Sequence, residues 1–196
     1  MNRLSDLRLE DQGTRTKYVI EIFDDRSEQS VVVESTEPLA GYSLEAADWG
    51  ERERHPDAVV VGEVGGVVWV CFIELKTSMR PKENKEAPTS RALGQLEGGV
   101  RYFHPVGRGT PQANRGAFHH DAWERHADQL DVTPPKNHHV IGIVVGFRHV
   151  PRPPPTTLVR LGASRVRFAV IPLSGNETNR ASTTFSNLLR LAGAIQ

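Results

Sequence analysis

The chain has 196 residues, of which 38% are hydrophobic and 24% are charged, and its formal net charge is zero. This length matches one domain of roughly 100 to 200 residues and argues against two. The longest apolar runs, Val67 to Ile73 and Val140 to Val145, are far shorter than the roughly 20 residues that cross a bilayer, and Met1 to Glu10 is polar rather than a signal sequence. The single cysteine, Cys71, excludes an internal disulfide and a cysteine-based zinc cage. We therefore expect one cytoplasmic domain.

The zero net charge hides an uneven distribution. Up to Asp131 the chain has 23 acidic and 16 basic residues, a net charge of −7, whereas after it one acidic residue faces eight Lys or Arg, a net charge of +7. A basic surface is the usual electrostatic footprint of a protein that binds phosphate. The alternative is a solvated arginine-rich face without a partner.

Two β-hairpins are predicted in the first half of the chain. Lys17 to Phe23 and Ser30 to Glu34 are rich in Val and Ile and flank a polar stretch, as expected for an N-terminal hairpin. Leu39 to Trp49 has a loosely helical spacing of apolar residues, but Gly41 weakens this pattern, so the segment is either helical or a turn with one short helix. Ala58 to Val61 and Val67 to Lys76 flank a glycine-bounded turn, which predicts a second hairpin with a long, central second strand.

A helix is predicted next, capped by Thr89 or Ser90 and running to Phe103, because its apolar residues are three and four positions apart. Gly98 and Gly99 within it lower helix propensity, so we expect another element to pack closely there. The later elements are listed in chain order: a short helix over Asp121 to Leu130, a buried strand over Val140 to Phe147, a strand with alternating faces over Arg165 to Leu173, and an amphipathic helix over Thr183 to Ala194.

Charged residues end the predicted central strand. Side chains alternate faces along a strand, so Glu74 and Lys76 project together while Leu75 points to the other side. If the two strands pair in register, Asp57 lies opposite residues 71 to 74, and two carboxylates converge. Two carboxylates with water and substrate phosphates are a typical ligand set for Mg²⁺, and a nearby lysine can assist the attacking water in phosphodiester hydrolysis. The alternative is a simple Glu74–Lys76 ion pair at a strand end.

The string His55, Pro56, Asp57, then sixteen residues, then Glu74, Leu75, Lys76 resembles the PD-(D/E)XK nucleases, also called the restriction-endonuclease-like fold. The resemblance implies an α/β fold with a mixed central β-sheet flanked by helices and a core over about residues 39–173. The N-terminal hairpin at 17–34 and the C-terminal helix at 183–194, predicted from their own patterns, lie on either side of this core in the chain. It further implies that Asp57 and Glu74 ligate Mg²⁺ or Mn²⁺, that the Leu75 carbonyl completes the site, and that Lys76 is catalytic.

Two further residues follow from the same resemblance. Many members place an acidic ligand on a helix before the first core strand, and Glu45 matches best, with Asp48 and Glu53 as competitors. Several branches carry a glutamine on the helix after the lysine, where this chain has Gln95. The RecB-like branch expects a tyrosine four residues after that glutamine, where this chain has Gly99.

The function implied is a metal-dependent endonuclease that hydrolyses DNA, with RNA left open, in restriction, repair or antiviral defence, as a homodimer or as a subunit of a larger complex. The basic half would contact the phosphate backbone, and its candidates are Arg148, Arg152, Arg160, Arg165 and Arg167.

Three other readings compete with this one. A catalytically inactive relative would bind nucleic acid or act as a scaffold without cleaving. An unrelated α/β domain, in which Glu74 and Lys76 only pair, would bind neither metal nor DNA. The histidines His119, His120, His126, His138 and His139 offer a zinc site, although none stands in an HExxH spacing.

Overall fold

The computed structural model describes residues 17–24, 27–43, 55–83, 85–103, 138–161, 164–174 and 180–196. Within these ranges the protein is a mixed α/β structure, mostly sheet. The elements are β1 (Tyr18–Asp24), β2 (Gln29–Ser35), β3 (Leu39–Ser43), β4 (Ala58–Val64), β5 (Val67–Lys76), α1 (Pro88–Phe103), β6 (His139–Gly146), β7 (Thr156–Leu161), β8 (Ser164–Pro172), β9 (Arg180–Thr184) and α2 (Phe185–Leu191). No helix in this part of the chain is long and apolar enough to span a membrane.

The larger sheet has six strands in the order β3-β4-β5-β6-β8-β7. β3, β4 and β5 pair antiparallel, β5, β6 and β8 run parallel, and β7 returns antiparallel at the edge. α1 lies in the chain between β5 and β6, since parallel neighbours need a long crossover connection. The mixed central sheet predicted from the sequence is therefore present.

A smaller sheet, ordered β1-β2-β9, packs on one face of the larger one. β1 and β2 form the predicted N-terminal hairpin, and β9 joins β2 in parallel. Ile22 and Val33 of this sheet, together with Phe185 of α2, share a hydrophobic core with Ile73 and Ile143 of the large sheet.

The other face of the large sheet is covered by α1. Leu96 and Val100 of the helix pack against Phe72 of β5, Val144 of β6 and Phe168 of β8. Both faces of the central strands are therefore buried, which explains why β5 and β6 are continuous apolar runs rather than alternating patterns.

Leu39 to Trp49 was expected to be loosely helical, and this is wrong for its first half. Leu39–Ser43 forms β3, which pairs with β4 so that Gly41 lies opposite Val60. A Cβ at Gly41 would lie 2.8 Å from Cγ2 of Ile20, so the side-chain-free residue lets β1 pack closely on β3. Residues 44–50 lie outside the described part of the chain, as does the helix predicted over Asp121 to Leu130.

The end of the chain also differs from the prediction. β7 and β9 were not expected from the sequence, and the C-terminal helix is shorter than the predicted Thr183 to Ala194 because its first residues belong to β9. Thr184 caps this helix, since its side-chain oxygen accepts a hydrogen bond from the Asn187 N–H. Polar, exposed strands at sheet edges carry little hydrophobic signal, which explains why they escaped detection.

The helix predicted up to Phe103 is confirmed, with its start at Pro88 rather than after Thr89 or Ser90. Proline fits the first helical turn because its missing N–H has no intrahelical partner there. The close packing expected at the glycines is present at Gly99, which lies against Pro56 and Phe72. This contact holds the segment that enters β4 against α1.

The Gly99→Ala variant tests this contact. Its Cβ would lie 2.7 Å from Cγ and Cδ of Pro56 and 3.0 Å from Cδ1 of Phe72, and a proline ring cannot move aside as a flexible side chain can. We expect a loss of unfolding free energy of about 1 to 3 kcal/mol from overpacking, partly offset by about 1 kcal/mol of improved helix propensity. Urea denaturation measures the difference, and Gly98→Ala on the neighbouring position controls for propensity. Stability equal to that of the Gly98→Ala variant would contradict the predicted steric conflict.

Candidate active site

The acidic motif lies at the carboxyl-terminal ends of the parallel strands β5, β6 and β8 of the large sheet, which we call the motif edge of the sheet. Ala58 pairs with Ile73, so Asp57, which immediately precedes β4, lies next to Glu74. The predicted register is confirmed. Asp57 accepts a hydrogen bond from the Leu75 N–H, with 2.6 Å between Oδ2 and the nitrogen. Ligands of open α/β sheets typically bind outside the carboxyl ends of the strands, so the motif has a suitable position.

Lys76 connects the motif to α1. Its Nζ donates to Oε1 of Glu74 and, over 3.1 Å, to Oε1 of Gln95 on the helix. Gln95 in turn donates from Nε2 to the His55 carbonyl oxygen over 3.2 Å. The four predicted residues Asp57, Glu74, Lys76 and Gln95 therefore converge, and Gln95 fixes the lysine relative to the entry into β4.

Both carboxylates are buried. The Glu74 side chain is only 1% exposed, because it follows Val70 and Phe72 on the face that α1 covers. Burial raises the pKa of Glu74 from 4.5 to about 7, although the Lys76 ammonium opposes this shift. Burial and then the charge of Glu74 raise the pKa of Asp57 well above its usual range, while the hydrogen bond from Leu75 lowers it. In the absence of a cation, the fold therefore disfavours simultaneous ionisation of the two carboxyl groups.

A hard divalent cation fits this donor set. Oε2 of Glu74 is buried and has no hydrogen-bond partner among the described residues, which is costly for a carboxylate oxygen. No group of three Asp, Glu, His or Cys side chains in the described ranges is arranged to hold a metal ion. Mg²⁺ does not require such a cage, since it is commonly bound by one or two carboxylates together with water and substrate phosphates. Asp57 and Glu74 supply two such carboxylates.

A third carboxylate, which the sequence did not indicate, acts on this site. Asp24 ends β1 and, after burial and the nearer charges, further raises the pKa of both Asp57 and Glu74. It also accepts a hydrogen bond from Ser27 in the β1–β2 turn. No local motif could have revealed Asp24, because it lies on β1, far from Asp57 and Glu74 in the chain.

The described residues do not test the remaining predicted metal ligands. The Leu75 side chain is buried on the opposite face, as expected, and its N–H contacts Asp57. A role of its carbonyl oxygen stays a prediction. Glu45, Asp48 and Glu53 lie outside the described residues. The same holds for three of the histidines, His119, His120 and His126, whereas His139 stacks on Trp69 with ring centroids 4.8 Å apart.

The candidate phosphate-binding arginines do not form one surface. Arg148 and Arg152 are exposed on the segment that follows β6, at the same carboxyl-terminal end of the strands as the motif. Arg165 and Arg167 alternate with Val166 and Phe168, which face α1, so they leave β8 on the face opposite the carboxylates. The Arg160 side chain lies outside the described part of the structure.

No family model, no curated protein and no solved structure matches this chain. The residues that converge at the sheet edge, with their burial and charge, are therefore the basis on which a function can be assigned.

Proposed function

We propose that the protein is a metal-dependent nuclease of the PD-(D/E)XK type that hydrolyses phosphodiester bonds of DNA. The observation that carries this proposal is a buried Glu74 oxygen beside Asp57 that has no hydrogen-bond partner among the described residues. Lys76 contacts the other oxygen of the same glutamate, and Gln95 contacts Lys76. A structural ion pair alone has no use for a second buried carboxylate. The order β3-β4-β5-α1-β6, with β5 and β6 parallel, supports the resemblance seen in the sequence.

Each residue has a chemical role in this proposal. Asp57 and Glu74 would hold Mg²⁺ or Mn²⁺, which when bound supplies Lewis acidity and a more acidic water. Lys76 directs two of its three N–H donors to Glu74 and Gln95, and its 20% exposed side chain leaves the third for a water or a phosphate oxygen. Gln95 is a positioning residue, because it fixes the ammonium without being charged.

A cleavage assay tests the proposal. Supercoiled plasmid, linear duplex, single-stranded DNA and single-stranded RNA are incubated with the protein in Mg²⁺, in Mn²⁺ or in EDTA. We expect cleavage of DNA with either metal and none in EDTA. Binding of DNA without metal-dependent cleavage would support the inactive, scaffold-like alternative. Neither binding nor cleavage would indicate that Glu74 and Lys76 form only a structural pair.

The Asp57→Asn variant separates metal binding from folding. Asparagine keeps the size of the side chain and an oxygen that can accept the Leu75 N–H, but it removes the charge that a hard cation requires. We expect Mg²⁺ and Mn²⁺ affinity to fall at least about tenfold, the low end of what lost metal-site interactions cost. Titration calorimetry measures the affinity, and Asp24→Asn serves as the comparison for loss of a nearby carboxylate. Unchanged affinity in the Asp57→Asn variant would place the metal elsewhere.

A further inference from the structure

Two segments that leave the sheet beside Lys76 form one surface, which we name the edge ridge and define as residues 77–83 and 147–155. The first follows Lys76 at the end of β5, and the second follows Gly146 at the end of β6. Lys76 and Gly146 are register partners, and the Phe147 N–H donates to the Lys76 carbonyl oxygen over 3.0 Å. Both segments therefore begin within about one strand spacing, roughly 4.8 Å, of the candidate active site.

The two segments are joined by hydrogen bonds and by apolar packing. The Met79 N–H donates to the Arg148 carbonyl oxygen over 3.0 Å, and Ser78 Oγ lies 3.0 Å from Nδ1 of His149. Met79 is buried and, with Val150, belongs to the hydrophobic core on the α1 side of the sheet. The edge ridge is thus a defined structure on the same side of the sheet as Glu74 and Lys76.

The edge ridge is cationic. Its exposed residues include Arg80, Lys82, Arg148 and Arg152, against the single acidic residue Glu83. The exposed His149 adds a further hydrogen-bonding group, and its φ of 55° is a conformation that non-glycine residues seldom adopt. Arginine and lysine side chains in such an arrangement suit the phosphodiester backbone, which is contacted mainly by cationic and polar groups.

The β8 arginines are placed differently. Arg167 pairs with Ile141, which pairs with Cys71, three residues before Glu74, so Arg167 lies roughly 10 Å away along the strands and on the other face. A Cβ on Gly193 would lie 3.0 Å from Arg167 Nη1, which places that guanidinium against the segment after α2. A nucleic-acid backbone at the carboxylates cannot reach this face without passing around the sheet.

We propose that the edge ridge, rather than the arginines of β8, binds the phosphate backbone of the nucleic acid that enters the active site. This inference rests on the proposed function and adds to it the surface that holds the substrate. It replaces the sequence-based expectation that Arg165 and Arg167 contact the backbone.

Two double variants with the same loss of charge test the proposal. Arg80→Ala with Arg148→Ala removes two cations from the edge ridge, and Arg165→Ala with Arg167→Ala removes two from the opposite face. Binding of fluorescent duplex and single-stranded DNA is measured by anisotropy over a series of salt concentrations in EDTA, so that cleavage does not interfere. Circular dichroism and thermal unfolding confirm that both variants are folded.

We expect the edge-ridge variant to bind more weakly and to lose about 0.9 in the slope of log K against log salt for each lost duplex contact, or about 0.7 for single strands. The β8 variant should keep the wild-type slope. Equal losses in both variants, or a loss in the β8 variant alone, would overturn the proposal. If the wild type cleaves DNA and the edge-ridge variant keeps its slope, this inference fails while the nuclease function stands. A wild type that neither binds nor cleaves would overturn both.

Discussion

The Lys76→Ala variant should lose metal-dependent cleavage by roughly 10²- to 10⁴-fold, the range that a positioned acid–base group contributes. The Glu74→Gln variant, which removes a proposed metal ligand, should lose cleavage to a similar extent. Glutamine has nearly the shape of glutamate and still accepts from Lys76, but it lacks the charge needed to hold a cation. Alanine at position 76 removes the only cation that contacts Glu74 among the described residues. Plasmid cleavage over time gives the rates, and circular dichroism reports on folding.

The Glu63→Gln variant is the matched control for this experiment. It makes the same chemical change on the same hairpin but at the opposite end of the strands from Glu74. There, near the turn between β4 and β5, Glu63 pairs with Val68. It should cleave like the wild type. Full activity in Glu74→Gln or Lys76→Ala would end the motif assignment, and unfolding of both would indicate a structural ion pair instead.

The stability of the metal-free protein should fall as pH rises from about 4.5 to about 7. The pKa of Glu74 is 4.5 in an ordinary environment and about 7 in the folded protein, so the folded state binds more protons across this range. The favourable contribution is fully present below pH 4.5 and is lost as pH rises through 7. Its size is about 3 kcal/mol, and Asp57, whose pKa is also raised, acts in the same direction.

Urea denaturation at several pH values in EDTA measures this dependence. The pKa of Asp57 is raised as well, so the informative quantity is the difference in unfolding free energy between the wild type and Glu74→Gln. That difference should change sharply between pH 4.5 and 7. Saturating Mg²⁺ or Mn²⁺ at pH 8 should restore stability, by about 2.7 kcal/mol at one hundred times the dissociation constant. A difference that is independent of pH would contradict the raised pKa of Glu74.

Local sequence patterns determined the central strands and the motif on them. The apolar runs of β5 and β6 have no polar face to offer solvent, so burial on both sides was required by composition alone. The glycines between β4 and β5 fixed the turn, and the turn fixed the register that brings Asp57 to Glu74. Helical spacing predicted α1 after the lysine, and the resemblance to the PD-(D/E)XK nucleases singled out Gln95 on it.

Long-range packing decided what the sequence could not show. Residues 39–43 form a strand rather than a helix because β4 and Ile20 surround them, and these partners are distant in the chain. The burial of Glu74 depends on α1, and the influence of Asp24 depends on the packing of the small sheet. Alternation along β8 correctly put Arg165 and Arg167 opposite Val166, but only the three-dimensional arrangement shows that α1 and the carboxylates occupy the Val166 face. Periodicity specifies which side chains share a face, whereas the identity of what covers that face is a property of the whole fold.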